Sequence, residues 1–221
     1  MPGARVRLTR TLELVPADAR RVLDVGCGPA PLAPGLRERG ATYFGSDFAA
    51  AMLQEARVLH ADVRLVRADA RLPFRDASFD AVTALGFVEY LPDPLPSLVE
   101  MRRVVRPGGT VVVSVPKRFH VDVVALALSA PVRGLLSLLT GRRTERIPRT
   151  RLEPADLDAL ALRAGLRSTG GAHYHFTPLP YPFTVLTPGL SLRAGRRLED
   201  SAARRALSFL AHGYLGRYRR D

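Results

Sequence analysis

The stretch Val22-Leu23-Asp24-Val25-Gly26-Cys27-Gly28-Pro29-Ala30 constrains the fold of this chain more than any other. An apolar run of strand length ends there in a turn carrying Gly26 and Gly28, where the backbone can approach a ligand that a β-carbon would obstruct. Pro29 and Pro31 suit the first turn of a following helix, which does not need their missing N–H. Strand, glycine turn and helix in succession describe the nucleotide-facing unit of doubly wound α/β folds. A dinucleotide site of the G-x-G-x-x-G form needs its third glycine at position 31, which is Pro31, so the turn departs from that fingerprint.

The residues that follow extend the pattern. Gly45-Ser46-Asp47 closes a second strand-like run about 20 residues after the glycines, where an acidic side chain can accept both hydroxyls of a ribose. Arg67-Ala68-Asp69-Ala70 follows a third apolar run, and Leu72-Pro73-Phe74, Ser78-Phe79-Asp80-Ala81-Val82 and Arg106-Pro107-Gly108-Gly109-Thr110 come after it in that order. Periodicity and turn residues predict strands near 21–25, 42–46, 63–67, 79–84 and 110–115, with helices over Leu8–Val15, 49–58 and Leu95–Val105. Such alternation implies a parallel sheet covered on both faces. Ligands bind such sheets beyond the carboxyl ends of the strands, and Gly26, Asp47, Asp69 and Leu85 all fall at those ends.

After Val115 the alternation breaks. Val121–Leu139 is largely apolar but contains Asp122, Pro131 and Arg133, so it reads as one or two amphipathic cap helices, not a membrane span. An amphipathic helix over Pro154–Ala164 and a strand over Leu166–Phe176 follow. Residues 177–195, rich in proline and glycine, read as a loop or lid, and Ala211–Arg219 reads as the last strand.

Together the ordered motifs over about half the chain, residues 20–116, resemble the class I S-adenosylmethionine-dependent methyltransferases. The likeness is particularly to the broad small-molecule branch that includes the ubiquinone and menaquinone methyltransferases. The resemblance implies an α/β, doubly wound, mostly parallel seven-stranded sheet of Rossmann-like methyltransferase type, with a helical cap inserted after the fifth strand. It places the last strand antiparallel between the fifth and sixth. One domain over 1–221 is expected: a cofactor-binding half (1–116), a cap (117–150) and a C-terminal part completing sheet and lid (151–221). The implied cofactor is S-adenosyl-L-methionine, and the implied activity is methyl transfer to O, N or C of a small or lipid-like acceptor.

The same resemblance assigns site residues. The Gly26-Cys27-Gly28 turn would pass under the methionyl and ribose part of the cofactor, with Asp24 fixing that turn and the amino group. Asp47 would take the ribose hydroxyls, Phe48 the adenine face, Asp69 the adenine amino group and the Ala70 amide the ring edge, while Leu85 and Gly86 would lie beside the methionine portion. Plainer roles compete with these: Asp24 or Asp47 as a helix N-cap, Asp69 as a turn cap, Cys27 as a small packed side chain. Many relatives carry glycine where this chain has Ala30.

No catalytic base stands out. His173 and His175 flank Tyr174 on a strand and could meet substrate, hold a metal or simply pack; no third ligand is evident, and no metal site is assigned. Glu89-Tyr90 suits contact with the acceptor and equally the start of a helix, and His120 could face the site from the cap, though nothing fixes its direction. The chain has no asparagine, which excludes the N-P-P-Y-type loop of exocyclic-amine DNA methylation, and its only cysteine, Cys27, lies in the cofactor turn. One cysteine and no secretory segment point to the cytoplasm.

Charge divides the chain. Residues 1–116 hold 15 basic and 13 acidic side chains, whereas 117–221 hold 18 and 8. Arg118, Arg142, Arg143, Arg146, Arg149 and Arg151 flank the apolar run at 121–139, a pattern that suits an interfacial helix on anionic lipid or a solvated, arginine-rich surface. Nucleic acid is the weaker partner reading. A non-catalytic cofactor-binding regulator and an RNA methyltransferase stay open as alternatives, and oligomeric state is not legible.

Overall fold

The computed structural model describes residues 2–60, 62–68, 71–117, 152–176, 188–199 and 206–221. Its elements in chain order are α1 (Pro2–Leu14), β1 (Arg21–Val25), α2 (Ala33–Glu38), β2 (Thr42–Asp47), α3 (Ala50–Leu59), β3 (Arg64–Arg67), β4 (Phe79–Ala84), α4 (Leu95–Val104), β5 (Val105–Pro116), α5 (Pro154–Arg163), β6 (Leu166–Phe176), α6 (Pro188–Glu199) and β7 (Ala211–Arg220). Single 3-10 turns occupy Val88–Tyr90 and Ser208–Leu210.

The strands form one seven-stranded sheet in the order β3-β2-β1-β4-β5-β7-β6. All neighbours are parallel except β7, which runs antiparallel between β5 and β6. The chain winds outward from β1 in one direction to β3, then crosses back to β4, so strand order reverses between β1 and β4. Open α/β sheets bind ligands at such a reversal, beyond the carboxyl ends of the strands.

Burial explains why these runs become strands. Val22, Leu23, Val111, Val112, Val113 and Val115 have no exposed surface, as expected for central strands covered on both faces. One core cluster packs α4 and α5 against the sheet through Leu98, Met101, Leu157 and Ala161. The other packs α2 and α3 against the opposite face through Leu36, Leu53 and Ala56, joined by Leu8 and Leu12 of α1. Arg220 closes the end of α4 by donating from Nη1 to the carbonyls of Arg102, Arg103 and Val105 at 2.7–2.9 Å.

Two expectations change. The first helix begins at Pro2, several residues before Leu8, because Leu8 and Leu12 anchor one turn of a longer helix. The lid expected over 177–195 gives way at Pro188 to α6, which packs on β6. Pro188 stands at the first helical position, where proline is pre-shaped for a helix, and Gly195 of the inward side is buried. Residues 177–187 and the cap segment 118–151 lie outside the described residues, as do Asp69, Ala70 and His120.

Candidate active site

β1 ends at Val25 and the chain turns at once toward β2. The amides of Gly26 and Cys27 both donate to the Ser46 carbonyl, at 2.8 and 3.0 Å. Gly26 takes φ +67°, and a β-carbon there would come within 2.5 Å of the Phe87 ring. Gly28 takes φ +53°, and a β-carbon there would meet no atom of the described residues within 4 Å, so among them this turn is open. Ala30 is also left-handed, at φ 57°. Its methyl is fully buried, and about 0.8 kcal/mol of apolar burial offsets much of the ~1–2 kcal/mol cost of that conformation.

Asp47 ends β2 facing this turn. Its Oδ2 accepts the Gly28 amide at 2.9 Å and its Oδ1 accepts the Ala49 amide at 2.9 Å. A carboxylate offers about four lone-pair positions, so half of its capacity is open to a vicinal diol. Helix α3 starts from Ala49 as its N-cap, so Asp47 organises the loop before the helix and is not its cap. Beside it the Phe48 ring is 69% exposed, while the Phe48 carbonyl is held by Arg67 Nε at 3.0 Å.

Asp24 sits at the switch point between β1 and β4 with 3% of its surface exposed. Thr83 Oγ1 donates to Oδ1 at 2.7 Å and Tyr43 OH donates to Oδ2 at 3.0 Å. Burial pushes its pKa up from 3.8 to about 6, against the pull of those hydroxyls and of the Arg7 charge. An ionised Asp24 is therefore short of positive charge, which suits a ligand ammonium. Cys27 is buried and its thiol is pushed up to about 12, chiefly by burial, which makes it a packed residue and not a nucleophile.

Past β4, the Gly86 amide donates to Ser114 Oγ of β5 at 2.9 Å. Arg7 of α1 reaches this point. Its Nη1 lies 3.0 Å from where a Gly86 β-carbon would stand, with Glu89 Oε1 at 3.7 Å from the same position. Arg7 and Ser114 both approach Tyr174 of β6, and the Arg7 Nε is buried without a partner among the described residues. Arg7, Ser114 and Tyr174 were not marked by any sequence motif. The one available signal is the Leu8/Leu12 stripe with fully buried Thr11, which turns Arg7, one helical turn before Thr11, toward the sheet.

The structure thus gathers Asp24, Gly26, Cys27, Gly28, Asp47, Phe48, Leu85 and Gly86 at the ends of β1, β2 and β4. The histidines lie further along the same edge: His173 packs against Tyr214 with ring centres 5.1 Å apart, and His175 against His212 at 4.9 Å. A diol acceptor, an exposed aromatic face, a desolvated carboxylate and a glycine turn open to solvent fit a cofactor that carries a ribose, an adenine and an ammonium.

Residues 23–113 match the Methyltransferase domain family. The chain belongs to the S-adenosylmethionine-dependent methyltransferases: it is an enzyme that takes S-adenosyl-L-methionine as cofactor and methylates a small-molecule acceptor. It is 33% identical over 195 residues to the ubiquinone biosynthesis O-methyltransferase of Paracidovorax citrulli, covering 84% of this chain and 80% of that one. Two solved structures share the fold. The S-adenosylmethionine-dependent methyltransferase from Mesorhizobium loti superposes with a TM-score of 0.64 at 19% identity, over 95% of this chain and 96% of that one. Magnesium protoporphyrin IX methyltransferase from Synechocystis, solved with bound SAH, has a TM-score of 0.64 at 14% identity, over 97% and 82%.

Proposed function

We propose that the chain methylates a hydroxyl oxygen of a small, apolar or lipid-like molecule, with its cofactor seated across the ends of β1, β2 and β4. The observation that carries this seat is the Gly28–Asp47 hydrogen bond, which sets an open glycine turn beside a half-used carboxylate. Oxygen as the acceptor atom is supported by the similarity to an O-methyltransferase. When bound, S-adenosyl-L-methionine supplies an electrophilic methyl on a sulfonium with a neutral thioether as leaving group, so the protein has chiefly to align the reactants and exclude water.

In this reading Asp47 accepts the ribose hydroxyls and Phe48 packs on the adenine. Asp69 and the Ala70 amide take the adenine edge. Gly26, Cys27 and Gly28 run beneath the ribose and methionyl portion, Asp24 faces the ammonium, and Leu85 and Gly86 flank the methionine. Arg7 adds the cation that a methionyl carboxylate needs at that end. The chain acts as one domain, with 117–150 as a cap over the acceptor, and a cytoplasmic location belongs to the same reading. Among the described residues no helix is long and apolar enough to cross a membrane. The arginines around 121–139 favour weak contact with anionic lipid, each cation near the surface contributing about 1 kcal/mol.

Incubation with methyl-labelled cofactor and a lipid and metabolite extract tests the activity. Label recovered as a methyl ether is expected. Label on nitrogen or carbon would correct the acceptor atom, and cofactor binding with no transfer to any fraction would favour a regulatory protein. Co-sedimentation with anionic and neutral vesicles at low and high salt tests the lipid contact, which fails if both leave equal protein in solution at low salt.

A further inference from the structure

Lys117 is the only lysine; the other 32 of the 33 Lys and Arg side chains in the sequence are arginine. It follows β5 directly, at the same end of the sheet as Gly86, and is only 6% exposed. Its ammonium makes one hydrogen bond among the described residues, to the Ser208 carbonyl at 3.0 Å, and forms no ion pair among them. An ammonium has three donors, and withdrawing it from water with one of them satisfied is costly. Burial accordingly pulls its pKa down, opposed by the Glu153 carboxylate at the start of α5.

His173 lies at the same end of the sheet, on β6, with β7 between: the Lys117 amide donates to the His212 carbonyl of β7 at 2.9 Å, and His173 is opposite Tyr214, two residues further along that strand. Its ring packs on Tyr214 across the β6–β7 ladder, where the two residues are register partners. The His173 Nδ1 is buried without a partner among the described residues. Burial, with the Lys117 charge added, pushes its pKa down to about 4, so the imidazole is neutral near pH 7. Lys117, Glu153 and Phe176 border segments 118–151 and 177–187, so this cluster lies where the expected cap and lid join the sheet. Arginine would bring five fixed donors to the same position, whereas lysine brings a compact charge suited to a single oxyanion.

Resting on the acceptor-methylating role proposed above, we propose that Lys117 and His173 form an oxyanion-binding site for the methyl acceptor. The Lys117 ammonium holds an ionised hydroxyl or a carboxylate of the acceptor, and the His173 imidazole supplies a second, uncharged hydrogen bond. The site selects acceptors that carry an anionic oxygen over neutral ones of the same shape. It also accounts for a buried cation and a half-buried imidazole with a buried, unpartnered Nδ1 at the same end of the sheet.

The test uses the full-length protein with and without S-adenosylhomocysteine. It is titrated with 4-nitrocatechol, whose absorption distinguishes the ionised from the neutral hydroxyl, and separately with benzoate. Binding of 4-nitrocatechol in its ionised form identifies an ionised hydroxyl as the ligand, whereas binding of benzoate alone identifies a carboxylate. Lys117→Met should weaken the bound probe by about tenfold or more, as expected for loss of a charged hydrogen bond, and should abolish any ionised-form spectrum. His173→Phe, which keeps a ring against Tyr214, should weaken it less. Melting temperature should not fall in Lys117→Met, because an underpaired buried charge is removed. Failure of both probes to bind the wild type, or equal binding by Lys117→Met, overturns the site. A lower melting temperature with probe affinity unchanged assigns Lys117 to holding the Ser208 turn instead. Failure of S-adenosylhomocysteine to bind would sink the cofactor seat, while the probe titrations in its absence still decide the oxyanion site.

Discussion

Replacing Asp24 with asparagine should make the protein more stable at neutral pH and a poorer cofactor binder. Asp24 is buried between β1, β2 and β4, and burial raises its pKa from 3.8 to about 6. A rise of that size corresponds to about 3 kcal/mol of penalty for the ionised form in the folded state. Because the folded-state pKa lies above the unfolded one, this group's contribution to stability is fully present below about pH 4 and is lost as pH rises through about 6. Asparagine carries no charge to desolvate, but it offers one acceptor oxygen where Tyr43 and Thr83 now donate to two. Subtracting about 1 kcal/mol for the poorer hydrogen bond leaves Asp24→Asn about 2 kcal/mol more stable at pH 7 and little changed at pH 4. Urea denaturation of both proteins across pH 4–8 isolates this group, because every other titrating residue is shared. Calorimetry with S-adenosylhomocysteine supplies the second half: wild-type affinity should rise through pH 6 as Asp24 ionises, and the variant should bind more weakly without that rise. Parallel stability curves for the two proteins from pH 4 to pH 8 would refute the desolvation argument.

Other substitutions separate seat from scaffold. Asp47→Ala should weaken cofactor binding by about 1.5–3 kcal/mol, as for loss of a charged acceptor; unchanged affinity by calorimetry removes Asp47 from the site. Gly26→Ala should destabilise by more than about 2 kcal/mol, since a left-handed alanine costs ~1–2 kcal/mol before its β-carbon meets the Phe87 ring. Gly28→Ala should cost only the backbone part, about 1–2 kcal/mol, and show its larger effect on cofactor affinity, because its β-carbon would enter open space. Equal stability losses in the two variants would contradict the packing. Asp69→Ala should erase the preference for S-adenosylmethionine over an analogue lacking the adenine amino group; a preference kept by the variant would reassign the adenine end.

What could be read from the sequence divides along the distance over which each property is decided. The sheet was legible because its strands are decided locally: Val22–Val25 and Val111–Val115 are apolar runs bounded by glycine and proline, and they are buried on both faces. Leu166–Phe176 forms a strand over the expected span, and the antiparallel place of β7, implied by the family resemblance, is the one observed. The turn residues Gly26 and Gly28 and the acidic Asp47 were legible for the same reason, since a backbone conformation and a strand-end carboxylate are written within a few residues. Pro188 misled because proline ends a helix or starts one with the same local chemistry, and only packing against β6 decides between them. Tyr174 and Ser114 carry no local signature, the place of Arg7 shows only in the Leu8/Leu12 stripe of its helix, and that of Lys117 only in its being the one lysine. They matter because α1, β5 and β6, far apart along the chain, meet at one end of the sheet. Asp24 combines both cases. Its position beside the glycine turn is written in the sequence, whereas its charge cost depends on Tyr43, Thr83 and the burial created by three paired strands. The glycine turn and the strand-end carboxylates are therefore the readable part of such a chain, and the electrostatics around them arise only when the sheet closes.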